Sequence, residues 1–208
     1  MPPRSYHEAV WEALPGGLEP SDYAPRSAFL LRHVAPGERV LDLGCGEGRF
    51  AAELAAAGAV VLAAEVAQEP LRRARAVHPS LELALIACEE PWDLPDAAFD
   101  VVWAGEVIEH VADTAGWLSE VRRVLRPGGR LLLSTPAHGP LWLLWLALRP
   151  RARESHFDPR GEHLRFYSKR SLAALLEDFN FERIEIGGIG PPLGPRRVLL
   201  ASAVRSRF

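Results

Sequence analysis

The chain has 208 residues, 48% of them hydrophobic and 25% charged, enough to bury the core of one domain and keep its surface wet. A formal net charge of -3 excludes a global basic field that would hold nucleic acid by counterion release, so no nucleic-acid partner is expected. Two cysteines, Cys45 and Cys88, exclude a disulfide framework and form no zinc-type pair, and "MPPRSYHEAVWEALPGG" has no apolar run of signal-peptide length, so a reducing, cytoplasmic setting is expected.

Short aliphatic runs alternate with longer helical segments, the pattern of a doubly wound, Rossmann-like α/β sheet. Residues 1–36 read as an N-terminal helical cover, in which the helix holding Tyr6 and Trp11 is able to fold over a cofactor, with Tyr6 and Tyr23 as candidate cover residues and core packing the alternative for each aromatic. Val40 to Leu43 is the first strand and opens the half at 37–135. "GRFAAELAAAG" follows as a helix with Phe50 and Leu54 on one side and Gly58 placed to end it in the left-handed conformation. "AVVLAAE" is a buried strand; "EPLRRARAVHP" is a helix with Pro70 near its first turn, stopping before Pro79; "LELALIA" is the third strand. "FDVVWAGE" is the fourth. From about Ala115 to Leu125, Trp117, Leu118, Val121, Val124 and Leu125 make one helical stripe, which "RPGG" is expected to stop before the fifth strand, "RLLLSTP". Residues 136–170 are an insertion. Over 171–208, "SKRSLAALLEDFNF" spaces Leu172, Leu175, Leu176 and Phe179 for a last helix, with Ser168 as N-cap and Asn180 suited to the left-handed C-terminal position. "ERIEIGG" and "RRVLLASAVR" bring the strand count to seven.

Gly44, Gly46 and Gly48 stand on the turn from the first strand to its helix, where open α/β sheets bind ligands and where missing β-carbons let a cofactor touch the main chain. A dinucleotide fingerprint would need its third glycine where Arg49 stands, which disfavours a nicotinamide oxidoreductase. Glu65 ends the second strand about 20 residues further on, where a carboxylate can accept both hydroxyls of a ribose.

At these residues the sequence resembles the class I S-adenosylmethionine-dependent methyltransferases. The likeness runs in order through "VLDLGCGEG", "AAEV", "LPDAAFDVVWAGEVIEHV", "VRRVLRPGGRLLLSTP" and "HLRFYSKRSLAALLEDFNF". It implies a mostly parallel seven-stranded sheet of order 3-2-1-4-5-7-6 with the final strand antiparallel. It also implies S-adenosyl-L-methionine as cofactor, with Asp42, Gly44, Cys45 and Gly46 along its methionine part and sugar, Glu65 on the ribose and Val66 against the adenine. The acidic residue that often follows the third strand is replaced here by Cys88, with Glu89 the neighbouring candidate for the adenine contact. The implied reaction is in-line methyl transfer, in which the protein aligns the reactants, excludes water and in some cases removes a proton. A non-catalytic cofactor-binding module remains the alternative.

"GEVIEHVAD" follows the fourth strand. Glu106 is expected to position the cofactor's methionine end, while Glu109 and His110 are candidates for proton removal, metal binding or helix-start hydrogen bonding. His110 and His138 are the two candidate general bases, each against a reading as a packed histidine. His156, Asp158 and His163 match no metal-ligand spacing, so no metal is expected. In the insertion, "LWLLWLAL" is too short to cross a bilayer. It reads as a packed helix, as a lid over an apolar substrate, or as a membrane-surface contact over 141–153 involving Trp142, Trp145 and the arginines 149, 151 and 153. Its layout is similar to ubiquinone-pathway O-methyltransferases, which implies a small-molecule or lipid-like acceptor. Arg165 and Tyr167 are candidate acceptor contacts.

Overall fold

In the computed structural model, which describes residues 4–86, 91–158, 163–190 and 197–207, one seven-stranded sheet organises the chain. Its strands are β1 (Arg39–Leu43), β2 (Val60–Glu65), β3 (Glu82–Leu85), β4 (Phe99–Gly105), β5 (Leu125–Pro136), β6 (Phe181–Ile189) and β7 (Val198–Arg205). The order is β3-β2-β1-β4-β5-β7-β6, as the resemblance implies. The first five strands pair in parallel, and β7 runs antiparallel to both its neighbours. The helices are α1 (Arg4–Ala13), α2 (Tyr23–His33), α3 (Arg49–Ala56), α4 (Gln68–Val77), α5 (Thr114–Val124), α6 (Pro140–Ala147), α7 (Pro150–His156) and α8 (Lys169–Asp178). The chain winds outward from β1 to β3 and then returns to the other side of β1 with β4. The carboxyl ends of β1 and β4 therefore flank the crevice where the winding reverses.

Side chains alternate across β1, and each face has its own core. Leu41 and Leu43, with Val102, Leu131 and Leu133, pack against Trp117, Leu118 and Val121 of α5 and Leu172 and Leu176 of α8. On the opposite face Val40, Val101, Trp103 and Leu132 pack against Phe29 and Leu30 of α2 and Phe50 and Leu54 of α3. Helix ends follow the capping signals. Ser168 accepts from Ser171 N at 3.1 Å while Ser171 Oγ accepts from Ser168 N at 3.0 Å, and Gly58 and Asn180 take φ of 92° and 56°.

α5 ends at Val124, ahead of "RPGG", but those four residues belong to the fifth strand instead of preceding it. β5 already begins at Leu125 and carries Arg126 to Gly129 as an irregular lead-in, where the pairing with β4 shifts between Phe99 and Val101. Pro127 lacks a backbone donor and Gly128 adopts φ of 79°, so the strand absorbs both residues by breaking register once. The insertion forms two short helices, α6 and α7, closed at their starts by Pro140 and Pro150. Among the described residues no helix is long and apolar enough to cross a membrane.

Candidate active site

A cavity of about 830 Å³ opens at the carboxyl ends of β1, β2 and β4. The loop after β1 makes its floor from bare backbone. Gly44 and Gly46 have φ of 75° and 53°, a region that L side chains avoid. A β-carbon at Gly44 would stand 2.5 Å from Val107 Cγ2, and one at Gly46 would stand 3.0 Å from Trp11 Cη2. Conformation and close approach thus both demand glycine. The amides of Gly44 and Cys45 both donate to Ala64 O, at 2.8 and 3.0 Å, fixing the loop to β2. Cys45 is buried along this floor, and burial raises its thiol well above the usual range, which makes it a wall rather than a nucleophile.

Glu65, the last residue of β2, reaches across to the same loop. Its carboxylate accepts from Gly46 N at 3.0 Å, from Val66 N at 2.6 Å and from Ala67 N at 3.4 Å. Burial raises its pKa and these amides oppose the rise. Glu65 and Val66 both line the cavity. Asp42 does not. It lies beneath the floor, 1% exposed, with Oδ2 lacking a hydrogen bond among the described residues; burial, then the Glu65 charge, raise its pKa to about 7.

Arg26 is a charged residue of the cavity that the motifs of the sequence do not single out. It projects from α2 into the cavity wall, 3% exposed, with its guanidinium 4.8 Å from the centre of the Phe50 ring and 5.7 Å from that of Trp103. Nη1 donates to Ser21 O at 3.1 Å, while Nε has no partner among the described residues. Desolvation lowers its pKa, opposed by the charges of Glu106, Glu109 and Asp42. Its signal was present: an arginine on the same buried stripe as Phe29 and Leu30 needs a polar reason to be there.

The opposite wall comes from the segment after β4. Glu106 lines the cavity with φ of 58° and accepts from Ser134 Oγ at 2.7 Å. Behind it Glu109 is buried, with Oε2 accepting from Thr135 Oγ1 at 3.0 Å, and burial of the two neighbouring carboxyls raises both pKa values. Glu109 also anchors the last part of the insertion, because its carbonyl accepts from Leu164 N and Arg165 N at 2.8 and 3.1 Å. His110 closes the short 3-10 turn Ile108–His110 and lines the cavity mouth. It meets the His163 ring at 4.9 Å between centroids. Ligand atoms of Glu109, His110 and His163 lie within 4.8 Å of one another, a set that can hold a divalent cation. His163 thus joins Glu109 and His110, residues far away in sequence, while its charge is also felt at His156.

The remaining candidates stand outside the cavity lining. His138 is buried with Nε2 2.9 Å from His156 Nε2, and desolvation lowers its pKa to about 4. Trp142 and Trp145 stack on each other on α6 with ring centroids 4.8 Å apart. Arg165 lines a separate shallow groove and donates to Ala112 O at 2.7 Å; Tyr167 sits in the core at the edge of that groove. Tyr23 is bound to Glu53 at 2.8 Å, and the cover over the cavity comes from His7, Val10, Trp11 and Leu14 of the N-terminal region. Cys88 and Glu89 lie outside the described residues.

A methyltransferase-domain family model matches residues 19–186. A ubiquinone biosynthesis O-methyltransferase of Hahella chejuensis is 33% identical over 165 residues, covering 76% of this chain and 68% of that protein. A 27-O-demethylrifamycin SV methyltransferase of Amycolatopsis mediterranei is 39% identical over 138 residues, covering 61% of this chain and 49% of that protein. The solved 1,6-didemethyltoxoflavin-N1-methyltransferase of Burkholderia thailandensis, with bound S-adenosylhomocysteine, has the same fold. It gives a TM-score of 0.69 at 21% identity over 97% of this chain and 84% of that one. The chain belongs to the S-adenosylmethionine-dependent methyltransferases: it is an enzyme, and its methyl donor is S-adenosyl-L-methionine.

Proposed function

We propose that the cavity between β1, β2 and β4 holds the donor and that the acceptor is an oxygen of a small, largely apolar or lipid-like molecule entering on the His110 side. The observation that carries the donor site is the bare Gly44–Gly46 floor, walled by a carboxylate at Glu65 and a desolvated guanidinium at Arg26. When bound, S-adenosyl-L-methionine supplies an electrophilic methyl group together with its own leaving group. The chain then has to bind, orient and keep dry. Glu65, held by three backbone amides, is arranged to accept hydroxyl protons of a ribose. Arg26 supplies the cation for an α-carboxylate, its buried Nε having no hydrogen bond among the described residues. Asp42 and Glu106 balance positive charge from below and from the side. Trp11 and Leu14 exclude water over the top. His110, at the mouth and beside the buried Glu109 carboxyl, is placed to take the acceptor's proton.

The choice of oxygen and of an apolar acceptor rests on the relatives, which include a ubiquinone biosynthesis O-methyltransferase and a rifamycin O-methyltransferase. Calorimetry with S-adenosylmethionine and its demethylated product tests the donor site, and a screen of phenolic and lipid-tailed acceptors for S-adenosylhomocysteine release tests the rest. Donor binding that survives Arg26→Met and Glu65→Gln unchanged would place the donor elsewhere. The Glu109, His110 and His163 cluster favours a second reading, in which a divalent cation held there orients acceptor oxygens and eases their deprotonation. Chelator-treated enzyme regaining turnover with added cation selects this version; chelator-insensitive turnover selects His110 alone.

A further inference from the structure

We infer that α6 and the basic start of α7 dock this enzyme on the surface of an anionic lipid bilayer. α6 is apolar around its whole circumference yet lies on the outside of the protein. Leu141, Leu144 and Leu148, spaced i, i+3, i+7 along and just past the helix, are 57%, 57% and 75% exposed, and Leu143, on another side, is 46% exposed. Leu146 is the only buried residue of the helix. A helix of this composition ordinarily belongs in a core or a lipid phase, and a patch of this kind in water marks an interaction surface.

The residues just past the helix decide the partner. Arg149, Arg151 and Arg153 are all exposed, and none of them pairs with a carboxylate among the described residues. The Arg149 guanidinium lies 4.9 Å from the centre of the Trp145 ring, and Trp145 stacks on Trp142, which puts aromatic rings and cations at one level beside the leucines. Leucine with tryptophan at the boundary and arginine at the rim is the chemistry of the headgroup and acyl interface. The local positive charge also opposes the chain's overall -3, so an anionic surface is the complementary one. A second copy of the chain would cover one side of α6 and leave leucines on the others wet, whereas a lipid interface accepts them all. At eight residues, about 12 Å, the helix can lie in that interface and cannot span it.

The position suits the proposed chemistry. α7 is tied by His156 to His138, at the end of β5 beside the segment that carries Glu106 and Glu109, so docking brings the acceptor side toward the source of a lipid-tailed molecule. The docking rests on that reading only for its purpose and is measured without turnover.

The test is flotation of the full chain with vesicles of phosphatidylglycerol and phosphatidylcholine, against phosphatidylcholine alone, at low and high salt. The wild type is expected to float with the anionic vesicles and to release in high salt. Replacing Arg149, Arg151 and Arg153 by Gln weakens binding on the order of a hundredfold, about fivefold for each charge. The double variant Leu141→Ser, Leu144→Ser stays at the bottom. Both variants retain affinity for S-adenosylhomocysteine by calorimetry, which reports an intact fold. Wild-type protein that does not float, flotation that survives the leucine substitutions, or flotation indifferent to lipid charge overturns the proposal. So does a dimer that the leucine substitutions dissociate in place of membrane binding. Loss of donor affinity in the wild type would instead sink the donor-site assignment and leave the docking result standing.

Discussion

The floor of the cavity and the insertion after β5 are built on opposite principles. At the floor, every hydrogen bond named holds a backbone amide. Ala64 O gathers two amides of the glycine loop and the Glu65 carboxylate gathers three, one of them from that loop. In the insertion, side chains hold side chains: a histidine pair, a tryptophan stack and one buried leucine position α6 and α7. On the proposed assignment, a donor common to many enzymes meets the first arrangement and an acceptor particular to one enzyme meets the second.

The contrast is broken most severely at Gly44. Gly44→Val forces a β-branched residue into φ of 75° and a β-carbon to within 2.5 Å of Val107, so donor binding measured by calorimetry should vanish and the melting temperature should fall. No single substitution in the insertion should abolish donor binding. Arg26→Met comes next. Loss of a charge-assisted hydrogen bond worth about 2 kcal/mol predicts donor affinity down by roughly thirtyfold, with the fold retained because methionine can occupy the space beside Phe50 and Trp103. Equal affinity in this variant would remove Arg26 from the site.

Acid and alkali should separate the same two regions. Asp42 has its folded pKa raised from 3.8 to about 7, so it favours the fold when protonated, and that stabilisation declines as pH rises through this window. In ligand-free protein, Asp42→Asn should therefore gain stability over wild type as pH rises from 3.8 toward 7, as read by urea melts across that range. His138 has the reverse sign. Its folded pKa is lowered from 6.5 to about 4, so its neutral form favours the fold, and stability is lost as pH falls from 6.5 toward 4. His138→Gln should flatten that acid limb. At neutral pH it should cost only about 1 kcal/mol, by loosening α7, and should leave donor affinity unchanged. A large loss of donor affinity would mean that the insertion and the floor are coupled after all.

Much of this is legible in the chain alone. Strand and helix periodicity, the three glycines and the carboxylate at the end of β2 are local signals, and local geometry carries them. Arg26 was harder, because its meaning depends on Trp103 and Phe50 arriving from other elements to desolvate it. His163 meets Glu109 and His110 because the Glu109 carbonyl captures the amides of Leu164 and Arg165, a contact that no spacing along the chain announces. Tyr167, a candidate acceptor contact, proved to be a core residue because its carbonyl accepts from His138 N and its segment bridges to Ala137.

By itself the sequence determined the strands, the helices and the place of the glycine loop, since hydrophobic period, glycine position and strand-end carboxylates are properties of neighbours along the chain, while the strand order came from the family resemblance. Only tertiary structure decided which charges share the cavity, that His138 faces His156 outside the cavity lining, and that an apolar helix is left outside. Those outcomes depend on desolvation and on distances between residues far apart in sequence, and neither quantity exists until the chain has folded.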